Sequence, residues 1–248
     1  VLCSILHFGV LFSRVQQQYN ILMRIFFLLL IIIQLPISSY GQHFFRIRGD
    51  YSQKIKTADG SNQLIMGRFF YDENIGKIVY DNYFPDNEIW VTTDTALYKI
   101  VNDEVKGKTP IPAINEFSIF HLALNNQLEH YGLKKSLYAI SSVDREGDMV
   151  ISTWKPPSTQ KSRLGKIMLS NKNNRLFGIV FFDPAGNVVR KQFFEEYKNF
   201  GGLEFPQKLV EILHINGQEN HQITTYKNIV IDELSAENYY DYTVPGYN

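Results

Sequence analysis

The sequence predicts a mainly β fold: a single curled antiparallel sheet, forming a half-open β-barrel of about eleven strands, with one or two short helices covering the concave face. Three observations lead there. Aromatic residues make up 14% of the chain, with 18 Phe and 15 Tyr, a surplus that suits pleated strands and apolar pockets. Aromatic and β-branched runs alternate with turn clusters at roughly 8–12-residue spacing. The connections are also too short for parallel crossovers, which need a dozen residues or more, so neighbours in the chain pair antiparallel.

Taken in order, the first strand is expected over 42–56 and ends at the turn Asp59-Gly60-Ser61-Asn62. Strands over 63–71 and 77–84 flank Asp72-Glu73-Asn74. Pro85-Asp86-Asn87 and Thr93-Asp94-Thr95 then separate strands over 88–92 and 97–101. In the second half, 137–144 and 148–154 form a hairpin about Arg145-Glu146-Gly147, and 166–170 pairs with 175–182 about Asn171–Asn174. The strand over 188–197 follows a Pro-Gly turn, Gly201-Gly202 marks another turn, and 208–215 and 222–232 flank Asn216-Gly217. Several of these runs are apolar on both faces, such as Phe69 and Tyr71 against Leu64, Met66 and Phe70, which implies a sheet covered on both sides. One stretch departs from the rhythm. Residues 114–131 place Phe117, Phe120 and Leu124 on a helical stripe continued by Leu128 and Tyr131, with Asn115 as N-cap, Gly132 as C-terminal glycine and Asn125-Asn126 as the point of any break. This helix should lie on the inner face of the sheet, and residues 155–163 should form a mobile loop.

The first 41 residues are set apart. Met23 and Arg24 precede the apolar run Ile25 to Ile33 and the small-residue end Ser39-Tyr40-Gly41, the pattern of a secretory signal peptide over 23–41, cleaved near Gly41/Gln42. Residues 1–22 then represent an upstream extension, the alternatives being part of an unusually long leader or an anchor over 1–33 that Arg14, Gln16–Gln18 and Arg24 would make costly in lipid. The remaining domain, 42–248, keeps 23 basic and 25 acidic residues, since Arg14 and Arg24 fall outside it. With no basic excess, a nucleic-acid partner is not expected. Its lone cysteine, Cys3, also falls outside it, which removes disulfides, multi-cysteine zinc sites and an acylated cysteine at the cleavage point.

Catalytic signatures are missing. There is no HExxH, GxSxG, GxGxxG or P-loop pattern. His121 and His130 fall on opposite faces of the expected helix, and Ser118 and His121 lack an orienting acid. The adjacent carboxylates Asp72-Glu73 and Glu195-Glu196 suit a solvated surface better than acid–base work. Neither an enzyme nor a cofactor or metal is expected. The aromatic surplus has two explanations: ordinary core, or the lining of a cavity for an apolar ligand.

Particular motifs carry a resemblance. Asp50-Tyr51-Ser52-Gln53-Lys54, Asp59-Gly60, Gly67-Arg68-Phe69-Phe70-Tyr71 and Phe84-Pro85 resemble the opening of the LolA-like outer-membrane lipoprotein carriers. The hairpin over 88–98 and the segment over 197–212 are similar to the wider lipoprotein-sorting superfamily with LolB-like and RseB-like domains. The resemblance implies a non-catalytic periplasmic carrier, a half-barrel whose helical lid closes over a cavity for lipoprotein acyl chains or another lipid. Carried over residue by residue, the implied lining is Phe69, Tyr71, Tyr80, Trp90 and Tyr98, with Phe117, Phe120 and Leu124 from the lid. Membrane-bound donor and acceptor proteins are the expected partners, and a monomer is expected. Two departures stand out: here only Gln42 to Phe45 lie between the signal and the first strand, where the carriers have a helix, and Asp72-Glu73-Asn74 stands where they carry an Arg-Pro pair. The competing expectation is a non-catalytic interaction or lipid-sensing module with a filled core.

Overall fold

Turns of a few residues leave successive strands little choice but to pair with one another, and the computed structural model follows this rule throughout. It describes residues 23–24, 43–93, 95–111, 117–215 and 217–246. The chain divides into two units, Val1–Gln42 and His43–Asn248. Of the first, only Met23 and Arg24 are described, both helical. The extension over 1–22, the rest of the expected signal segment and Asn115 lie outside the described residues. The described residues contain no helix long and apolar enough to cross a membrane.

The second unit is one open antiparallel sheet of thirteen strands. These are β1 (Arg46–Lys56), β2 (Asn62–Asp72), β3 (Lys77–Phe84), β4 (Glu88–Thr92), β5 (Ala96–Val101), β6 (Glu104–Pro110), β7 (Ala139–Glu146), β8 (Met149–Lys155), β9 (Ile167–Lys172), β10 (Arg175–Phe182), β11 (Val188–Phe200), β12 (Leu203–Ile215) and β13 (Gln218–Ile231). The spatial order is β6-β5-β4-β3-β2-β1-β13-β12-β11-β10-β9-β8-β7. One meander runs outward from β1, the other runs inward from the far edge, and they join where β1 pairs with β13, Tyr51 opposite Tyr226. The sheet does not close, so β6 and β7 are its two edges. Thirteen strands replace the expected eleven or so. Twelve of them correspond to the segments read as strands in the sequence, and the one without a counterpart is β6, EVKGKTP, whose side chains are nearly all exposed and carry no apolar alternation.

This order also dictates where the helix goes. The connection from β6 to β7 joins opposite edges of the sheet, and its described part, 117–138, packs on the inner face. The single helix expected over 114–131 is in fact a six-residue helix, Ile119–Leu124, followed by one-turn 3-10 helices at Leu128–His130 and Leu133–Lys135. Its N-cap is Ser118, whose hydroxyl accepts from the His121 N–H at 3.2 Å. It stops at Asn125-Asn126, where Asn126 takes φ 58° and the Gln127 N–H turns back to the Leu122 carbonyl. Gly132 is left-handed too, at φ 68°, but serves as the joint between the two 3-10 turns. The expected loop over 155–163 holds a further 3-10 turn, Ser158–Gln160.

β2 shows how both faces are filled. Phe69 and Tyr71 face the helix, while Phe70 faces the other side, where a second cluster of Val79, Val91, Tyr98, Ile100, Tyr240 and Val244 is buried. The C-terminal helix Glu237–Tyr240 provides that cover, so of the two short helices only one lies on the inner face. Arg46, buried between the segments, pairs with Asp72 and with Glu237 at 2.6 and 2.8 Å, and its guanidinium lies 4.8 Å from the Tyr240 ring centre. Asp72, expected at a solvated surface, is therefore 1% exposed. It is enclosed because its ring-rich neighbours are covered, and its other oxygen accepts from the Asn74 N–H at 2.8 Å.

Candidate functional site

A cavity of about 720 Å³ lies between the inner face of the sheet and the cross-over segment. Trp90 on β4 and Ile167 on β9 both line it. These strands are eight spacings apart in the sheet order, about 38 Å if the sheet were flat. A space of this volume is only about 11 Å across if spherical, so the sheet must curve back on itself to bring them together. The strand alternation decides who reaches the cavity: Ile78, Tyr80, Trp90, Thr92 and Leu97 point in, and Val79, Val91 and Tyr98 between them point out.

The roof is the cross-over segment. Phe120 is 1% exposed, stacked on Phe69 at 4.6 Å and 16° and flanked by Phe205 at 6.1 Å and by the edge of Tyr226 at 5.7 Å. Phe117 is the opposite case: it lines the cavity yet is 41% exposed, sitting at its rim. The far wall comes from the second meander, with Phe181, Phe194, Leu209 and Tyr226.

A polar stripe crosses this wall. The Tyr131 hydroxyl donates to Gln192 Oε1 at 3.1 Å, the Gln192 amide donates to Glu211 Oε2 at 3.4 Å, and Arg190 Nε stands 2.7 Å from Glu211 Oε1. Gln53 and Thr224 add a further contact at 3.4 Å. The Arg190–Glu211 pair cancels its own charge, so the cavity offers an occupant an apolar body and hydrogen-bonding groups without net charge. Its phenols are neutral as well. Burial pushes Tyr131 up to about 12 and moves Tyr51, Tyr80 and Tyr226 upward too. Tyr51 donates to Asn82 Oδ1, and Tyr71 shares a 2.9 Å hydrogen bond with His121 Nδ1.

The expected lining residues thus separate into three groups. Tyr80, Trp90, Phe117 and Phe120 line the cavity. Phe69, Tyr71 and Leu124 are buried in the same cluster, behind its surface. Tyr98 is on the opposite face, 5.3 Å from Lys108 Nζ, and takes no part. Sequence reasoning missed the wall from β10 to β13, including Phe181, Gln192, Leu209, Glu211 and Tyr226. The available signal was the long alternating pattern of β11 to β13, but it carries polar residues at inward positions and so points to the wrong face. Among the described residues, no group of three or more His, Cys, Asp or Glu side chains is placed to hold a metal ion. Ser118 caps its helix, and His130 lies 3.5 Å from Glu129, away from His121.

No family model and no curated protein matches the sequence. Solved structures do match the fold. A LolA superfamily protein from Nitrosomonas europaea is 10% identical with a TM-score of 0.53, over 81% of this chain and 91% of its own. A domain assigned to outer membrane lipoprotein sorting, from Vibrio parahaemolyticus, is 12% identical with a TM-score of 0.55, over 79% and 89%. A DUF1329 family protein from Desulfovibrio piger is 10% identical with a TM-score of 0.56, over 82% and 92%. The fold of this chain is LolA-like.

Proposed function

We propose that the chain is a non-catalytic carrier that shelters acyl chains of lipoproteins or other lipids in this cavity and takes them through the periplasm toward the outer membrane. The observation that carries the reading is the cavity itself, an apolar space within the roughly 300–1,000 Å³ of ordinary ligand sites, roofed by a segment tethered at opposite edges of the sheet. The likeness to lipoprotein-sorting folds supports the class of cargo, and the apolar run after Arg24 supports export. Each methylene moved from water into the cavity contributes about 0.8 kcal/mol, so a long acyl chain gains enough to leave a membrane. In this reading the protein works as a monomer between membrane-bound donor and acceptor proteins. A filled interior, as an interaction module would have, fits the cavity less well.

The test is mass spectrometry of the natively purified protein. Lipid-sized adducts should accompany the chain and be lost on organic extraction. Phe117→Glu, at the rim, should reduce binding of a fluorescent fatty acid. A ring exposing 41% of roughly 200 Å² contributes about 2 kcal/mol when an occupant covers it, or about thirtyfold in affinity. Adduct-free protein that binds no fatty acid would refute the proposal.

A further inference from the structure

The charges of the second unit nearly balance, but they are not evenly spread. No Asp or Glu occurs from His130 to Val143 or from Met149 to Phe182. In those stretches Lys134, Lys135, Lys155, Lys161, Arg163 and Lys166 are all exposed. The fold gathers them at one end of the sheet. β7 begins and β8 ends there, with Ala139 paired to Lys155. The Tyr138 hydroxyl donates to the Gly165 carbonyl at 3.1 Å, tying the segment that carries Lys134 and Lys135 to the loop that carries Lys161, Arg163 and Lys166. At the opposite end of the same strands, Lys172 and Arg175 are paired with Asp148 and Glu204. None of the six gathered cations has a carboxylate within ion-pair distance among the described residues. Asp183 is the nearest acid by strand pairing, and Asn187 occupies both its oxygens at 2.8 Å. Apolar side chains stand among these cations without cover: Leu137 is 79% exposed, Ile140 53% and Leu164 41%.

We infer that this end of the sheet is a docking surface for a membrane bearing anionic headgroups, with the cations meeting phosphates and Leu137 and Leu164 entering between headgroups. Charge complementarity selects an anionic partner. The exposed leucines select a lipid surface over a soluble polyanion, which offers nothing apolar for them to contact. The surface also borders the cavity: Leu133, Ser136, Tyr138 and Ile167, which line it, lie in the segments that carry the cations. Docking would therefore bring the cavity wall against the bilayer, deepening the lipid-carrier reading on which this role rests.

The two ideas are tested apart by flotation of the chain over 42–248, the form left after removal of the signal segment, with preformed vesicles of phosphatidylcholine, with and without 30% phosphatidylglycerol (a chosen composition, about one anionic lipid in three). Binding should require phosphatidylglycerol and disappear at about 0.5 M salt. Lys155→Gln/Lys161→Gln/Arg163→Gln should weaken it about a hundredfold, at about fivefold per cation. Lys54→Gln/Lys56→Gln/Lys227→Gln removes the same charge from exposed positions on β1 and β13 and should change it less than about twofold. Leu137→Ser/Leu164→Ser should weaken it about tenfold or more. Thr224→Trp, which fills the cavity, should leave vesicle binding intact even where fatty-acid binding fails. No phosphatidylglycerol-dependent binding, or equal loss in the two triple variants, would overturn the docking surface. So would equal binding to polyglutamate that the leucine variant leaves unchanged, since that marks a polyanion site.

Discussion

Replacing Phe120 by alanine should unravel the roof of the cavity, and the size of the effect follows from its packing. The ring is 1% exposed and lies in a stack with Phe69 and Phe205, closed at the side by the edge of Tyr226. Deleting a buried phenylalanine ring costs about 3–5 kcal/mol in transfer and cavity terms. Little collapse can relieve it, because Phe69 is itself pinned: a Cβ on Gly49 would lie only 3.0 Å from its ring, so that strand already packs flush against it. For a domain of this size each kcal/mol moves Tm by about 2–4 °C, giving a drop of roughly 6–20 °C. Calorimetry of Phe120→Ala beside Phe117→Ala supplies the comparison. The rim ring is 41% exposed, so its loss should shift Tm by no more than about 2 °C while reducing fatty-acid affinity. Phe120→Ala melting within 2 °C of the parent, or Phe117→Ala melting as low as Phe120→Ala, would refute the assignment of one ring to the core and the other to the rim.

Other perturbations probe the frame. Arg46→Met strands the carboxylate of Asp72, 1% exposed, and should cost about 3 kcal/mol in chemical denaturation, with the C-terminal segment losing hydrogen-exchange protection first. Gly49→Ala drives a methyl to 2.7 Å from the Lys227 carbonyl, where β13 bulges, and should cost about 1–3 kcal/mol with no change in ligand specificity. In alkali, Tyr131 and Tyr240, both pushed by burial to about 12, hold their protons longer than in the unfolded chain. The stability they contribute is complete below the unfolded value near 10 and is lost as pH rises toward 12. Phenolate absorbance should therefore rise in two stages, the later one coinciding with loss of strand signal. At the acid end, Arg48 and Arg46 hold Glu233 and Glu237 below the usual carboxylate range. Their contribution is present above the unfolded value near 4 and fades below it, so the C-terminal helix should loosen there before the sheet melts.

Much of the sheet was legible because its turns are written in Asp, Asn, Gly and Pro, as at Asp59-Gly60 and Asn173-Asn174, and its strands in aromatic runs. β6 was not, because an edge strand of Lys, Thr and Pro buries nothing that would mark it. The helix was overextended because the stripe Phe117, Phe120, Leu124, Leu128, Tyr131 recurs at helical spacing through Asn125-Asn126, and an apolar stripe persists whether the backbone is one helix or three short turns. The cavity lining was half legible for a related reason. In β5, Leu97, Tyr98 and Ile100 are all apolar, and alternation cannot say which face meets the cavity when the outer face is buried too. What buries it is the C-terminal helix, a four-residue element of Glu-Asn-Tyr-Tyr that carries no periodic signal of its own. In β11 to β13 the difficulty inverts: Gln192 and Glu211 point inward because they satisfy each other across β11 and β12, and Thr224 because it meets Gln53 of β1, pairings set by register rather than by composition.

The claim that the space under the cross-over holds an acyl chain is tested most directly by filling it. Thr224 lines the cavity from the centre of the sheet and is 4% exposed, so a tryptophan there must enter the void. Fluorescent fatty acid titrated into the parent protein should bind saturably at one site per chain and be displaced by phospholipid. The Thr224→Trp protein should keep its strand spectrum and lose that binding. Saturable binding that survives in the filled protein, or no saturable binding in the parent, would contradict the account.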